Sequence, residues 1–175
     1  RSWAKVGTMV VDIGEVRAWT VQDSTELYNV DAWGRGYFSI NEAGNVVVTP
    51  QGREGIKLDL RKIVDDLKRR GVPIPVVIRF SEILQDRVKM ISTAFNNACA
   101  KFDYKNKYRG VYPIKVNQER LIVEELVQYG REYGLGLEAG SKPELLIALA
   151  YQDNPDAYVV CNGYKDEEYI RLALL

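Results

Sequence analysis

The chain has 175 residues with 24 basic and 24 acidic side chains, so its formal net charge is zero. Hydrophobic residues make up 46% and charged residues 27% of it, which is typical of a globular domain. The balanced charge argues against nucleic-acid binding, because that affinity depends on basic residues that neutralise phosphates. No apolar run approaches the roughly 20 residues that a membrane-spanning helix needs, so we expect no membrane association.

The residue types exclude further classes of site. The sequence contains no histidine, which excludes Ser-His-Asp and Cys-His nucleophile systems and histidine-containing metal sites within it. Its two cysteines, Cys99 and Cys161, form no CxxC pair and predict no disulfide framework. A reducing cytoplasm is therefore the expected compartment.

Residues 1–57 are rich in aromatic residues, glycine and short alternating runs. Residues 23–28 are compatible with a brief helix. Two β-rich runs, at 37–40 and 46–48, flank a loop that contains glycine, which predicts a β-hairpin. We expect a small β-rich N-terminal segment here.

From residue 58 onward, the pattern changes to alternating helices and strands. Helical spacing is present from Leu60 to Leu67. Four short apolar runs then predict strands, at residues 75–80, 110–117, 135–139 and 157–162. A helical segment follows each strand. Ser81 is the expected N-cap of the first of these helices, and Ser141 with Glu144 fits a capping box at the third.

Four consecutive strand-then-helix units predict a parallel sheet. A closed (β/α)₈ barrel of the TIM type takes roughly 250 residues, so residues 58–175 would supply its first half. The chain also stops inside an apolar helix at Leu175. We therefore expect an α/β fold, the first part of a (β/α)₈ barrel, as the front portion of a larger protein.

Lys115 is the strongest candidate for a reactive residue in the sequence, because it lies near the end of the second predicted strand among apolar neighbours. Strand alternation would put it on one face with Val111 and Pro113. An inward lysine at the mouth of a barrel would be desolvated, and a neutral amine can form a Schiff base. A lysine at a strand end more often extends its head into water, and the residues alone favour that interpretation.

Glu138 and Asn162 occupy the ends of the next two predicted strands. Glu138 would hold the Lys115 ammonium or orient a cofactor ring, or else it would stabilise the N-terminus of the following helix. Asn162 is placed to donate to a ligand, although Asn in such turns commonly bonds to the local backbone.

Three motifs together resemble the biosynthetic arginine decarboxylases, which are pyridoxal-phosphate enzymes of the alanine-racemase and ornithine-decarboxylase fold group. The motifs are residues 111–118, 136–142 and 161–166. Residues 27–34 and 37–41 also look like the N-terminal segment of that family. The resemblance covers about residues 19–175.

The resemblance implies that Lys115 carries pyridoxal 5'-phosphate through a Schiff base and that Glu138 lies beside this lysine. We also expect Asn162, at the end of the next strand, to bind the cofactor. The resemblance further implies decarboxylation of L-arginine to agmatine in polyamine and spermidine biosynthesis, a magnesium requirement, and a homo-oligomer, dimer or tetramer. Family members are several times longer, so this chain alone should be inactive. The alternatives are a decarboxylase for ornithine or diaminopimelate and a non-catalytic regulatory homologue.

Overall fold

A computed structural model describes residues 3–6, 9–12, 17–52 and 55–175 of the chain. By their contacts, the residues divide into two compact units, residues 1–77 and residues 78–175. The sequence places the boundary after residue 57 instead. Residues 58–77 fall in the first unit because Leu58–Asp59 forms a strand that pairs there and the helix after it contacts the same sheet.

In its described residues, the first unit combines two small antiparallel sheets with three helices. One sheet is a hairpin of β1 (Trp3–Val6) and β2 (Met9–Asp12). The other has the order β3 (Phe38–Ile40), β4 (Val46–Val48) and β5 (Leu58–Asp59). The helices are α1 (Val21–Leu27), α2 (Val30–Gly34) and α3 (Leu60–Arg69). The predicted hairpin over 37–48 and the brief helix over 23–28 are therefore confirmed.

Side-chain oxygens cap the N-termini of two of these helices. Thr20 accepts from the Asp23 backbone N–H, while the Asp23 carboxylate accepts from the Thr20 backbone N–H, which is a complete capping box for α1. Asp59 caps α3 by accepting from the backbone N–H groups of Arg61 and Lys62. The helix that the apolar spacing from Leu60 to Leu67 predicts is confirmed.

The second unit is a three-stranded parallel sheet with helices between its strands. Its strands, in the order β6, β7 and β8, are Val111–Pro113, Gly136–Ala139 and Val159–Cys161. Its helices, in chain order, are α4 (Ser81–Lys101), α5 (Arg120–Gly130), α6 (Lys142–Tyr151) and α7 (Glu167–Ala173). This arrangement confirms the α/β class. It contains three parallel strands and leaves the closed barrel a prediction.

The core of the second unit lies between the sheet and its helices. One cluster joins Ile114 and Leu137 with Val123 of α5 and Ala148 of α6. A second cluster joins Ala139 at the end of β7 with Leu145 of α6 and Tyr169 of α7. Ile114, just after β6, and Ala139, the last residue of β7, belong to these clusters, so the carboxyl ends of both strands are held by packed side chains.

Two local predictions for residues 58–175 are wrong. Residues 75–80 form no strand, because no described segment pairs with them and a strand needs a partner for its backbone groups. Ser81 is the first residue of α4, and Phe80 is the N-cap without a capping side chain. The Ser81 hydroxyl instead donates to the Glu125 carboxylate of α5, which ties the two helices together.

Candidate functional site

Lys115 lies in a single 3₁₀ turn, Ile114–Val116, that follows β6 directly. The predicted strand over 110–117 therefore ends at Pro113, and the expected alternation does not reach Lys115. The chain turns at this point because the Ile114 side chain enters the core, where it is fully buried. Lys115 is exposed, as the interpretation favoured by the residues alone predicts, and the alternative of a desolvated lysine does not hold for this chain. Within residues 17–52 and 55–175, no hydrogen bond or ion pair engages its ammonium.

The turn that carries Lys115 is closed by a neighbouring side chain. Tyr112, in the middle of β6, donates its hydroxyl to the backbone carbonyl of Asn117 at 3.1 Å. Asn117 in turn accepts the backbone N–H of Glu119 at its Oδ1 atom, at 2.9 Å. Lys115 thus projects from a short turn whose far end is held by a tyrosine of the preceding strand.

Glu138 and Asn162 meet at the ends of β7 and β8. Glu138 is half-buried and pairs in register with Pro113 on one side and Val160 on the other. The Asn162 side-chain amide donates to Glu138 Oε1 at 2.9 Å. The structure therefore joins these two predicted site residues, and the partner of the Glu138 carboxylate is Asn162 rather than Lys115.

The backbone at these strand ends is closely packed. The backbone N–H of Asn162 donates to the Ala139 carbonyl at 2.8 Å. Gly163 has a φ of +79°, and a Cβ added there would lie 3.1 Å from the Gly140 carbonyl oxygen. A side chain at this position would therefore meet both backbone strain and a close contact, which explains the glycine.

Glu144 connects the strand end of β7 to the segment after Lys115. Ser141 accepts from the Glu144 backbone N–H at 3.4 Å, as the capping box predicts. The buried Glu144 carboxylate, however, accepts from the Gly140 N–H at 2.7 Å and faces the Gln118 amide at 3.5 Å. The reciprocal bond of the predicted box reaches one residue further back than the N-cap.

Tyr169 of α7 packs against the carboxyl end of β7. It is 2% exposed, and its hydroxyl donates to the Ala139 carbonyl at 3.0 Å. Burial, followed by a hydrogen bond with Cys161, raises the pKa of Tyr169 to about 12. Nothing in the sequence pattern singles out Tyr112 or Tyr169 for these roles. The available signal was weak, since a tyrosine next to a site and a tyrosine in an apolar helix are both ordinary core residues.

An ion-pair cluster borders the site at the starts of α6 and α7. The Lys142 ammonium lies 2.8 Å from Asp166 Oδ2 and also contacts the Glu168 carboxylate. Hydrogen bonding to Asp166, and then to Glu168, raises the pKa of Lys142. The same Lys142 contact, together with the Tyr169 backbone N–H, lowers the pKa of Asp166, which is the N-cap of α7.

The amino ends of the same strands surround a polar cavity of about 340 Å³. Arg109 at this end donates to the Asp156 carbonyl and lies over the Tyr158 ring, with its guanidinium carbon 5.7 Å from the ring centroid. Arg131 pairs with the Asp153 carboxylate. Polar side chains here are thus engaged with neighbouring residues.

The described part of the chain holds no cluster of three or more His, Cys, Asp or Glu residues that is able to bind a metal ion. No helix in the same residues is long and apolar enough to cross a membrane. Cys99 and Cys161 are both free thiols.

Comparison with known proteins gives consistent matches. Residues 88–175 match the family described as pyridoxal-dependent decarboxylase, pyridoxal binding domain. The biosynthetic arginine decarboxylase of Prochlorococcus marinus is 53% identical over 157 residues, which cover 90% of this chain and 24% of the relative. The biosynthetic arginine decarboxylase of Bacteroides thetaiotaomicron is 51% identical over 160 residues, which cover 91% of this chain and 25% of the relative.

A solved structure shows the same fold. The crystal structure of the biosynthetic arginine decarboxylase SpeA from Campylobacter jejuni matches with a TM-score of 0.75 and 39% sequence identity. The match covers 83% of this chain and 24% of that protein. The chain therefore spans about a quarter of the length of the relatives that it matches.

Proposed function

The chain belongs to the pyridoxal-dependent decarboxylases, and from this premise we propose that it forms part of an enzyme that decarboxylates L-arginine to agmatine and carbon dioxide. The observation that carries the proposal is the placement of Lys115, Glu138 and Asn162 at the carboxyl ends of three adjacent parallel strands or in the turns that follow them. The relatives at about 50% identity that are named biosynthetic arginine decarboxylases support the choice of substrate.

The residues present fit pyridoxal 5'-phosphate. Lys115 offers a primary amine, exposed and without a partner among the described residues, that is able to condense with the cofactor aldehyde. The Glu138 carboxylate, fixed by the Asn162 amide, supplies an oriented negative charge at the adjacent strand end. When bound, the cofactor acts as the electron sink for the electron pair that remains when carbon dioxide leaves.

The chain's own residues have separate tasks in this proposal. Lys115 would hold the cofactor through its Nζ atom, which is exposed. Glu138 keeps the cofactor ring oriented, and Asn162 holds Glu138 at Oε1 so that the carboxylate does not rotate away. Protonation of Cα after the loss of carbon dioxide completes agmatine, a polyamine precursor.

Several further features are part of the proposal. We place the segment in a (β/α)₈ barrel, which the parallel order β6, β7 and β8 supports. We assign the enzyme to the cytoplasm, which two free thiols support, and to a homo-oligomer, dimer or tetramer. Magnesium, which the family resemblance implies, has no ligand cluster in the described residues, and no step is assigned to it.

Reductive trapping tests the proposal. A full-length enzyme that contains this chain is incubated with pyridoxal phosphate, reduced with borohydride and mapped by peptide mass analysis. The label is expected on Lys115 and is expected to be absent from Lys115→Ala, and the wild-type protein is expected to release agmatine from arginine. Label on another lysine, with Lys115 unmodified, would refute the assignment. Release of carbon dioxide from ornithine or diaminopimelate but not from arginine would refute the substrate.

A further inference from the structure

Lys115 is held by very few contacts for a residue that must present one atom accurately. Lys115 is exposed, and Val116, the next residue, is 68% exposed. Neither side chain belongs to the core clusters. The direction of the lysine is therefore set by the backbone of the 3₁₀ turn, and the turn has two supports at its ends.

The first support is the buried Ile114 side chain, which fixes the start of the turn. The second is the Tyr112 hydroxyl, which donates to the Asn117 carbonyl and so spans the turn from strand to exit. Tyr112 is itself packed against the cluster that contains Ile114 and Leu137. The bond from the Tyr112 hydroxyl therefore restrains Asn117, the residue that follows the turn.

We propose that Tyr112 is a positioning residue for Lys115: its hydroxyl bond to the Asn117 carbonyl holds the 3₁₀ turn in the one conformation that presents the Lys115 amine to the cofactor. This inference rests on the proposed function, because it assigns no role to Tyr112 without a cofactor at Lys115.

The state of the hydroxyl agrees with this role. Burial raises the pKa of Tyr112, while the Asn117 backbone acts in the opposite direction, and the net shift is upward. The phenol therefore keeps its proton at neutral pH and remains a donor to the carbonyl. The bond should not change across the working range of the enzyme.

Loss of this one bond has a predictable consequence. Without it, the turn populates other conformations, and the apparent affinity for the cofactor falls in proportion to the competent fraction. A single net hydrogen bond of this kind corresponds to a change of about threefold to tenfold. The aromatic ring, and with it the packing against the core, is retained when only the oxygen is removed.

The experiment compares Tyr112→Phe with wild type and with Tyr133→Phe in a full-length enzyme that contains this chain. Tyr133 lies at the amino end of the sheet, in the turn before β7, so its variant controls for a tyrosine hydroxyl lost far from Lys115. Each apoenzyme is mixed with pyridoxal phosphate, and borohydride-fixed label on Lys115 is followed over time and concentration. The melting temperature of each apoenzyme is measured in parallel.

We expect Tyr112→Phe to raise the pyridoxal-phosphate concentration for half-maximal labelling about threefold to tenfold, with labelling still confined to Lys115. The value of kcat should fall with little change in KM for arginine. Tyr133→Phe should match wild type. A Tyr112→Phe protein that labels like wild type would overturn the inference.

Two other outcomes are separated by the same design. Wild-type protein that does not label at Lys115 refutes the proposed function itself and removes the basis of the inference. If Tyr112→Phe does not fold, 3-fluorotyrosine at position 112 replaces it, because the fluorinated phenol keeps its shape and is a stronger donor. Labelling at least as tight as wild type is then expected, and weaker labelling with an unchanged melting temperature overturns the inference.

Discussion

The two ends of the parallel sheet use polar residues in different ways. At the amino ends, Arg109 bonds to the Asp156 backbone and stacks on Tyr158, and Arg131 pairs with Asp153. At the carboxyl ends, Lys115 has no hydrogen-bond partner among the described residues, although the turn beneath it is anchored.

This difference shows how one fold separates stability from chemistry. A cation that is already bonded within the chain has little capacity left for a ligand, and it strengthens the loops that it joins. A lysine that is fixed only through its backbone retains a reactive amine. The amino end is therefore expected to affect stability and the carboxyl end to affect cofactor attachment, and paired substitutions test that separation.

The largest expected effect comes from Lys115→Arg, compared with Lys107→Arg beside the amino-end cavity. Both variants keep a positive charge, but a guanidinium stays protonated and does not condense with an aldehyde. Turnover by Lys115→Arg should fall on the order of 10³-fold or more, as it does when a nucleophile is removed. Lys107→Arg should retain wild-type turnover. Equal losses in steady-state agmatine assays would contradict the proposed separation.

An intermediate effect is expected when one asparagine side chain is removed at each end of the sheet, Asn162 at the carboxyl end and Asn154 at the amino end. Asn162→Ala removes the amide that donates to Glu138 Oε1, and it should lower kcat about threefold to tenfold. Asn154→Ala removes the amide that donates to the Arg131 carbonyl at 3.0 Å, and it should cost about 0.5–1 kcal/mol of stability with kcat unchanged. Urea unfolding and steady-state kinetics on both variants check this. The reverse pattern would show that the ends are not specialised.

Much of this sheet could be predicted from the sequence, because periodicity reports which residues are buried. The apolar runs around Leu137 and Val159 predict two strands that the structure contains, and the Ser141 cap is where the motif places it. The failure at residues 75–80 has a physical cause. A strand exists only where another strand pairs with it, and a local apolar run carries no information about its neighbours.

The candidate site was predicted in part, for a related reason. Lys115, Glu138 and Asn162 are all at or just beyond strand ends, but the predicted strand alternation stops at Pro113 and does not reach Lys115, which lies in a 3₁₀ turn. The bond from Asn162 to Glu138 and the bond from Tyr112 to Asn117 join residues through space. Such bonds depend on side-chain rotamers and on the exact path of a turn, which sequence spacing does not determine.

The smallest effect is expected for the ion pair between Lys142 and Asp166. This pair lies at the carboxyl end of the sheet, yet its charges are bonded within the chain like those at the amino end. Lys142 lowers the pKa of Asp166, so this carboxylate should stabilise the fold above the unfolded-state pKa of about 3.9 and lose that contribution as pH falls through its lower folded-state value. Asp166→Asn keeps a capping side chain for α7 and removes the titration. Its stability should therefore be lower than wild type at neutral pH and should converge with wild type in acid.

The measurement is the free energy of unfolding as a function of pH in acid, for a full-length enzyme that contains this chain. Asp166→Asn is compared with wild type and with the matched variant Lys142→Met. Both variants should flatten the acid dependence, because Lys142 is the largest cause of the lowered Asp166 pKa. Borohydride labelling of Lys115 should be unchanged in both, since the pair lies at the starts of α6 and α7 and its ion pair joins those two helices to each other. Acid curves parallel to wild type would remove the pair from the stability argument. Lost labelling would show that cofactor attachment also depends on a lysine that already has partners.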